Sequence, residues 1–209
     1  LIREGIKTRV VSETLSKTSN VFECMTEEAQ YWLGMLVADG YIGDKENTVG
    51  LSLQEKDLEH LNRYANFVET NIKSYLNKKF NIMEYRAYFK NKATNSWLKS
   101  IGVTERKSDN IKLLIPLTNH ILRGIIDGDG YVRKGKGHIE IATQSDNLRL
   151  QIIEYLTSND IHCTSHVSTS VFIVGIYRKD SIKKLYNLLY NNASIFLERK
   201  KYRITATLI

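Results

Sequence analysis

Cysteine is nearly absent: Cys24 and Cys163 are the only two. Two thiols cannot build a disulfide framework or a four-thiolate zinc site. Both are expected as reduced, buried side chains, in a reducing, intracellular setting. Proline is scarcer still, with Pro116 alone near the middle of the chain. No Gly/Ser-rich stretch separates two halves. No apolar run approaches the ~20 residues that span a bilayer, so no membrane partner is expected. No signal-peptide pattern is read at the start.

What is present is ordinary globular material. The chain has 209 residues, of which 42% are apolar and 25% charged. That is enough to bury a sizeable core in one large domain or two small ones. Lys and Arg total 30 against 23 for Asp and Glu, a net charge of +7. A basic balance favours a polyanionic partner such as nucleic acid. Several chemistries drop out. There is no P-loop glycine string. The five histidines (His60, His120, His138, His162, His166) have no zinc-finger or HNH arrangement. Gly175-Ile176-Tyr177 and Tyr41-Ile42-Gly43 echo the GIY-YIG nuclease signature in reversed order, and are read as strand residues.

The chain repeats itself. YWLGMLVADGYI (Tyr31 to Ile42) aligns without gaps on ILRGIIDGDGYV (Ile121 to Val132), at an offset of 90 residues. Leu51 to Leu61 lies over Ile141 to Gln151 at the same offset, with Gln54 on Gln144. ERKS (Glu105 to Ser108) answers ERKK (Glu198 to Lys201) at an offset of 93. This period is far longer than a solenoid repeat and indicates a duplicated domain. The expected division is a 1–25 extension, a first repeat over 26–115 and a second over 116–209. The extension opens on LIREGIKTR, faintly like the end of a helix-turn-helix recognition helix, and is read as an exposed tail.

Each half reads as αββαββα. Helices are expected at about 27–39 and 117–128, with Thr26 capping the first and Glu27 and Glu28 suiting its dipole. Strand pairs follow at 40–45 with 48–54 and 130–134 with 137–143. Then come helices at 57–70 and 145–159, strands at 73–79 with 83–90 and 162–167 with 171–177, and helices at 93–101 and 180–191. Val49, Leu51 and Leu53 show the alternation of a half-buried strand. The fold class is α+β, with antiparallel sheets carrying helices on one face.

The doubled motif has a physical consequence. Gly34 and Ala38 share one helix face; Gly124 and Gly128 share the equivalent face. Small residues one turn apart let two helices approach closely. Their C-terminal ends would then meet, bringing Asp39 and Asp129 together, each just before a glycine suited to ending a helix. Two carboxylates at negative helix ends repel. A hard divalent cation with oxygen ligands would compensate, activate a water and stabilise a leaving oxygen in phosphodiester hydrolysis.

WLGMLVADG (Trp32 to Gly40) and LRGIIDGDG (Leu122 to Gly130) resemble the paired signatures of single-chain, two-motif LAGLIDADG homing endonucleases. The resemblance spans roughly residues 27–203. The first motif departs at Val37, where the second keeps Asp127. The resemblance implies a pseudo-two-fold pair of repeats whose sheets form a DNA-binding saddle. It implies a monomeric intron-homing enzyme that hydrolyses both strands of a long DNA target and leaves short 3′ overhangs. Asp39 and Asp129, with Ala38 and Gly128 beside them, would hold two or three Mg²⁺ ions. Gln54 and Gln144 would order water near the metal, and Lys107 and Lys200 would face the scissile phosphates. Arg106, Arg199 and Lys201 are neighbours that compete for the lysines' role. An RNA-splicing maturase, with intron RNA as partner, and a non-cleaving DNA-binding regulator are the alternatives.

Target reading would fall to the exposed sheet faces, since a β-surface can enter the major groove. In the first half Arg86, Tyr88 and Lys90 alternate with the more apolar Tyr85, Ala87 and Phe89. In the second, Arg133, His138, Glu140 and Ala142 are candidates. Lys45, Lys134, Lys136 and Arg178 are expected to hold phosphates or bases. The halves differ at these positions, so the target should be non-palindromic.

Overall fold

The structure, a computed structural model, describes residues 19–43, 46–78, 80–104, 111–133, 138–206 and 208. The first repeat runs α1 (Glu27–Asp39), β1 (Gly40–Gly43), β2 (Thr48–Leu53), α2 (Leu58–Phe67), β3 (Ile72–Asn77), β4 (Ile82–Lys90) and α3 (Lys92–Ser100), with a 3₁₀ turn at Glu55–Asp57 before α2. The second runs α4 (Asn119–Asp129), β5 (Gly130–Val132), β6 (Ile139–Thr143), α5 (Asp146–Ser158), β7 (Thr164–Ser168), β8 (Val171–Ile176), α6 (Lys179–Tyr190) and α7 (Glu198–Thr205). The strand orders are β1-β2-β4-β3 and β5-β6-β8-β7, all antiparallel. The expected α+β class and duplicated topology are therefore found. The added element is α7, which the sequence reading left unassigned.

Local chemistry sets the boundaries. Thr26 caps α1 by accepting from the Ala29 amide, and Thr118 caps α4 by accepting from Ile121. Both helices end on the aligned aspartate, but Thr118 starts α4 two residues later than the motif alignment suggests. Asn91 and Ser145 cap α3 and α5 in the same way. Each satisfies an amide that has no partner inside its helix.

The glycines after α1 and α4 act differently from expectation. Gly40 and Gly130 have φ of −71° and −66°, so neither is a left-handed terminator. The chain instead passes straight into a strand, and a Cβ there would collide with the Leu36 or Ile126 carbonyl of the preceding turn. Glycine is required by close approach, not by positive φ.

The core lies between helices and sheets. Val49, Leu51 and Ala87 of one sheet, and Ile139, Ile141, Val174 and Ile176 of the other, are buried beneath helices. Residues 19–25 are not the exposed tail expected. Phe22 is buried and stacks on Trp97 at 5.5 Å and tilts against Phe67 at 5.7 Å. Residues 1–18, including LIREGIKTR, lie outside the described residues. The cysteines are free, yet they are not both buried: Cys24 is exposed and Cys163 half-buried. No helix among the described residues is long and apolar enough to cross a membrane.

Candidate functional site

The site begins where α1 crosses α4. A Cβ on Gly34 would strike the Ile121 carbonyl, and one on Gly124 would strike that of Tyr31. The two glycines face one another, each Cα 2.9 Å from where the other's Cβ would stand. Backbone thus meets backbone, as small faces one turn apart allow. One turn further on, a Gly128 Cβ would run into the Ala38 methyl and stand 3.3 Å from Asp39 Oδ2. The Asp39 carboxylate therefore leans across the end of α4, next to Asp129. Both aspartates are exposed.

Positive charge is built in beside them. Lys200 of α7 is buried, and its Nζ donates to the Ile126 carbonyl (2.8 Å) and the Gly128 carbonyl (2.7 Å) at the end of α4. A cation there offsets the partial negative charge of the helix terminus. Burial pushes the Lys200 ammonium down to about 8; nearby Arg199 pushes the same way, while Asp127, Asp39 and Asp129 oppose. Arg199 makes a two-pronged pair with buried Asp57 of the first repeat, both bonds 2.7 Å. Its pKa is raised, first by that hydrogen bond. Lys200, expected to face a scissile phosphate, donates to two backbone carbonyls, one of them that of Gly128. Lys107 and Arg106 lie outside the described residues.

Asp127 forms a second, buried centre. It accepts from Tyr31 Oη (2.9 Å), Tyr190 Oη (2.8 Å) and the Leu197 amide (2.7 Å). Burial raises its pKa, against the pull of those donors. Tyr31 Oη also meets His60 Nε2 at 2.7 Å. With the Tyr31 proton given to Asp127, neutral His60 must donate from Nε2. Arg123, also buried, donates to the carbonyls of Ile195 and Leu189 and pairs with Glu27 at 2.6 Å.

The exposed sheet faces follow from register. Tyr41, Gly50 and Tyr88 lie across one row, and Ser52, Arg86 and Lys73 across the next. Arg86 and Tyr88 therefore share the exposed face, as their alternation predicted. Lys73 donates to Tyr88 Oη at 2.7 Å, and Arg86 pairs with Glu84 at 2.6 Å. Lys90, at the strand end, pairs with Glu46 at 2.8 Å. The face encloses a recess of about 740 Å³ whose lining includes Gln54, Arg86 and Tyr88. In the second sheet Tyr131, Glu140, Gly175 and Thr164 share a row, and Ala142 and His166 flank Ile173 in another. Glu140 accepts from Tyr177 (3.0 Å), whose ring meets His138 edge-on at 5.1 Å. Arg133 is exposed. Arg178, expected to hold DNA, is engaged by Asp180 through bonds of 3.1 and 2.9 Å. Lys45, Lys134 and Lys136 lie outside the described residues. The glutamines differ: Gln144 shares a recess of about 280 Å³ with Asp129 and Ala38, whereas Gln54 lines the sheet recess.

The family model of the LAGLIDADG-like domain matches residues 117–190. Residues 117–190 therefore form a LAGLIDADG-like domain. No curated protein matches its sequence. Solved structures share the fold at low identity. The homing endonuclease I-WcaI, bound to its DNA recognition sequence, superposes with a TM-score of 0.67 at 18% identity, covering 97% of this chain and 95% of that one. I-DmoI in complex with DNA and Ca gives 0.59 at 16%, covering 88% and 98%. The N-terminal LAGLIDADG domain of DUF199/WhiA gives 0.57 at 15%, covering 89% and 95%.

Several residues around this site carry no signal in the sequence. The Asp57–Arg199 pair joins residues 142 apart, and no local pattern announces it. Asp127 carried one signal, its replacement by Val37 in the first motif, but its three donors come from three separate elements. The glycines beneath tyrosines were a clearer hint. A Cβ on Gly50 would stand 2.7 Å from Tyr88 Cβ, and one on Gly175 would hit the Tyr177 ring. Strand glycines mark such close approaches.

Proposed function

We propose that the chain is a site-specific endonuclease that hydrolyses both strands of a long, non-palindromic duplex target and leaves short 3′ overhangs. One observation carries this reading: two aligned, exposed aspartates end two tightly crossed helices, and the Asp39 carboxylate lies against Gly128, the residue before Asp129. The DNA-bound structures of I-WcaI and I-DmoI with this fold support it.

The donor set fits a divalent metal. Among the described residues no group of three or more His, Cys, Asp or Glu could hold a metal ion, so the site rests on two carboxylates. Two exposed carboxylates are hard oxygen donors and suit a hydrated divalent cation that completes its shell with phosphate oxygens. Asp39 and Asp129 would hold two or three Mg²⁺ ions, with the Ala38 and Gly128 backbone alongside. Gly128 offers only its remaining lone pair, since Lys200 occupies the other. Structures of I-DmoI with DNA include Ca and Mn, in keeping with such ions. The bound metal supplies a water of lowered pKa and charge stabilisation at the leaving oxygen.

The chain's own residues supply the rest. Lys200 holds the end of α4 and keeps a positive charge near the acids. Gln144, beside Asp129, orders water at that end, Gln54 is its aligned counterpart in the first repeat, and Lys107 faces a scissile phosphate. Arg86, Tyr88, Lys90, Arg133, Lys134, Lys136, His138, Glu140 and Arg178 contact the duplex, phosphate contacts fixing its register and base contacts its sequence.

Asp39→Asn or Asp129→Asn abolishes double-strand cleavage with Mg²⁺ while sparing most DNA affinity. Cleavage by either variant at the parental rate would overturn the assignment. The DUF199/WhiA domain shares this fold, and a non-cleaving DNA-binding regulator is the second reading. A parent protein that binds a selected duplex but never cuts it, with Mg²⁺ or Mn²⁺, decides for that reading.

A further inference from the structure

The end of α4 and the start of α7 hold each other from both sides. Asp127 Oδ2 accepts from the Leu197 amide, at the residue that caps α7. In return, Lys200 from the first turn of α7 donates to the carbonyls of Ile126 and Gly128, on either side of Asp127. The same carboxylate draws in Tyr31 of α1 and Tyr190 of α6. From this junction α7 reaches the first repeat, where Arg199 grips Asp57. Beyond Leu197 the helix has no side-chain cap of its own. Its start is therefore fixed by a carboxylate from another helix.

The first motif has no acid at the matching position. Val37 stands where the second has Asp127, and its side chain has no polar atom. One end of the paired site is clamped by a buried acid; the other has none at that position.

We propose that Asp127 is a positioning residue that fixes α7 against α4 and so sets Lys200 at the Gly128–Asp129 end of α4, in the one motif of the two that supplies a buried acid at this position. This role rests on the nuclease reading above. Asp127 touches neither the duplex nor the reacting atoms. It acts through the Leu197 amide, and an ångström of drift in α7 moves the charge that Lys200 presents to the acids. Displacement on that scale costs up to about a hundredfold in rate at a catalytic centre.

Two variants break the clamp from opposite sides. Asp127→Val, the residue of the first motif, removes every acceptor at once. Leu197→Pro deletes the amide hydrogen at a φ of −87°, close to what proline adopts, and leaves Asp127 its tyrosine donors. It decides the matter alone if Asp127→Val fails to fold. Tyr190→Phe is the control, removing one donor and leaving the Leu197 bond.

Each protein is assayed on a selected duplex target labelled separately on its two strands, and by amide hydrogen exchange. With the clamp broken, amides of Glu198–Thr205 exchange faster while those of α1 stay protected. Cleavage of one strand slows roughly tenfold or more relative to the other, so nicked duplex accumulates. Tyr190→Phe keeps the parental strand ratio. Equal slowing of both strands would mark a purely structural role and overturn the proposal, as would parental exchange across α7. A parent that cuts neither strand removes the nuclease reading, and the positioning role with it, whatever the exchange shows.

Discussion

His60 shows how one buried side chain links packing to pH. It lies against Trp32 and Tyr31 and is held by Tyr31 Oη. Burial pulls its pKa from 6.5 down to about 4, assisted by Arg63 and Arg199 and opposed by Asp57. The folded protein thus refuses a proton that the unfolded chain accepts between those values. Stability is complete above pH 6.5 and falls as pH drops towards about 4, by an amount of up to roughly 3 kcal/mol. Asp127, with a raised pKa, titrates with the opposite sign, so the parent curve alone mixes the two. His60→Gln retains a donor for Tyr31 and cannot titrate. Urea unfolding across pH 4–7 should therefore give the variant a shallower acid-side slope than the parent. Equal slopes would place the titration elsewhere. None of this was legible in the sequence, where His60 was merely one histidine without a metal pattern. Asp39 and Asp129 were legible, because they recur in register and a helix period places them at matching ends.

At the scale of elements, the α1–α4 crossing is the feature the sequence described best. Gly34, Ala38, Gly124 and Gly128 repeat at helical spacing, and that spacing fixes which faces touch. Gly34→Ala tests the contact. The new Cβ meets the Ile121 carbonyl and the Gly124 Cα, both backbone, so no rotamer change can relieve it. The helices must separate, and the predicted loss is about 3 kcal/mol, at the top of the usual range for overpacking. Chemical denaturation reads it directly; a loss under about 1 kcal/mol would mean the crossing is looser than described. By contrast, α7 was hidden. Its ERKKYRIT sequence buries only Lys200 and Ile204, so it shows no apolar stripe by which a helix is recognised. Tertiary hydrogen bonds from Asp127 and to α4 carbonyls supply what periodicity usually does. The motif glycines were located correctly but for another reason, since Gly40 and Gly130 avoid a collision and adopt no left-handed turn.

For the molecule as a whole, duplication gives two faces of one shape and different chemistry. The first sheet displays Lys73, Arg86 and Tyr88, tied together through Glu84 and Tyr75. The second displays Glu140, Ala142, Ile173 and His166, with Tyr177 and His138 packed across it. Arginine suits the paired acceptors of guanine, whereas alanine and isoleucine suit the thymine methyl. A palindrome would offer the same bases to both faces and match one at most. With a selected target in hand, two symmetrised duplexes can be built, each repeating one half-site. Both should bind at least about tenfold more weakly than the native site, a change of one or two lost base readouts. The protein's net charge of +7 adds a component shared by all three duplexes. Raising salt should weaken each by a similar slope, because phosphate neutralisation releases counterions whatever the sequence. Specificity measured as the ratio between native and symmetrised sites should therefore survive added salt even as every affinity falls. Equal binding of all three duplexes would mean that the faces do not read sequence, and a ratio that collapses with salt would mean that phosphate contacts carry the discrimination.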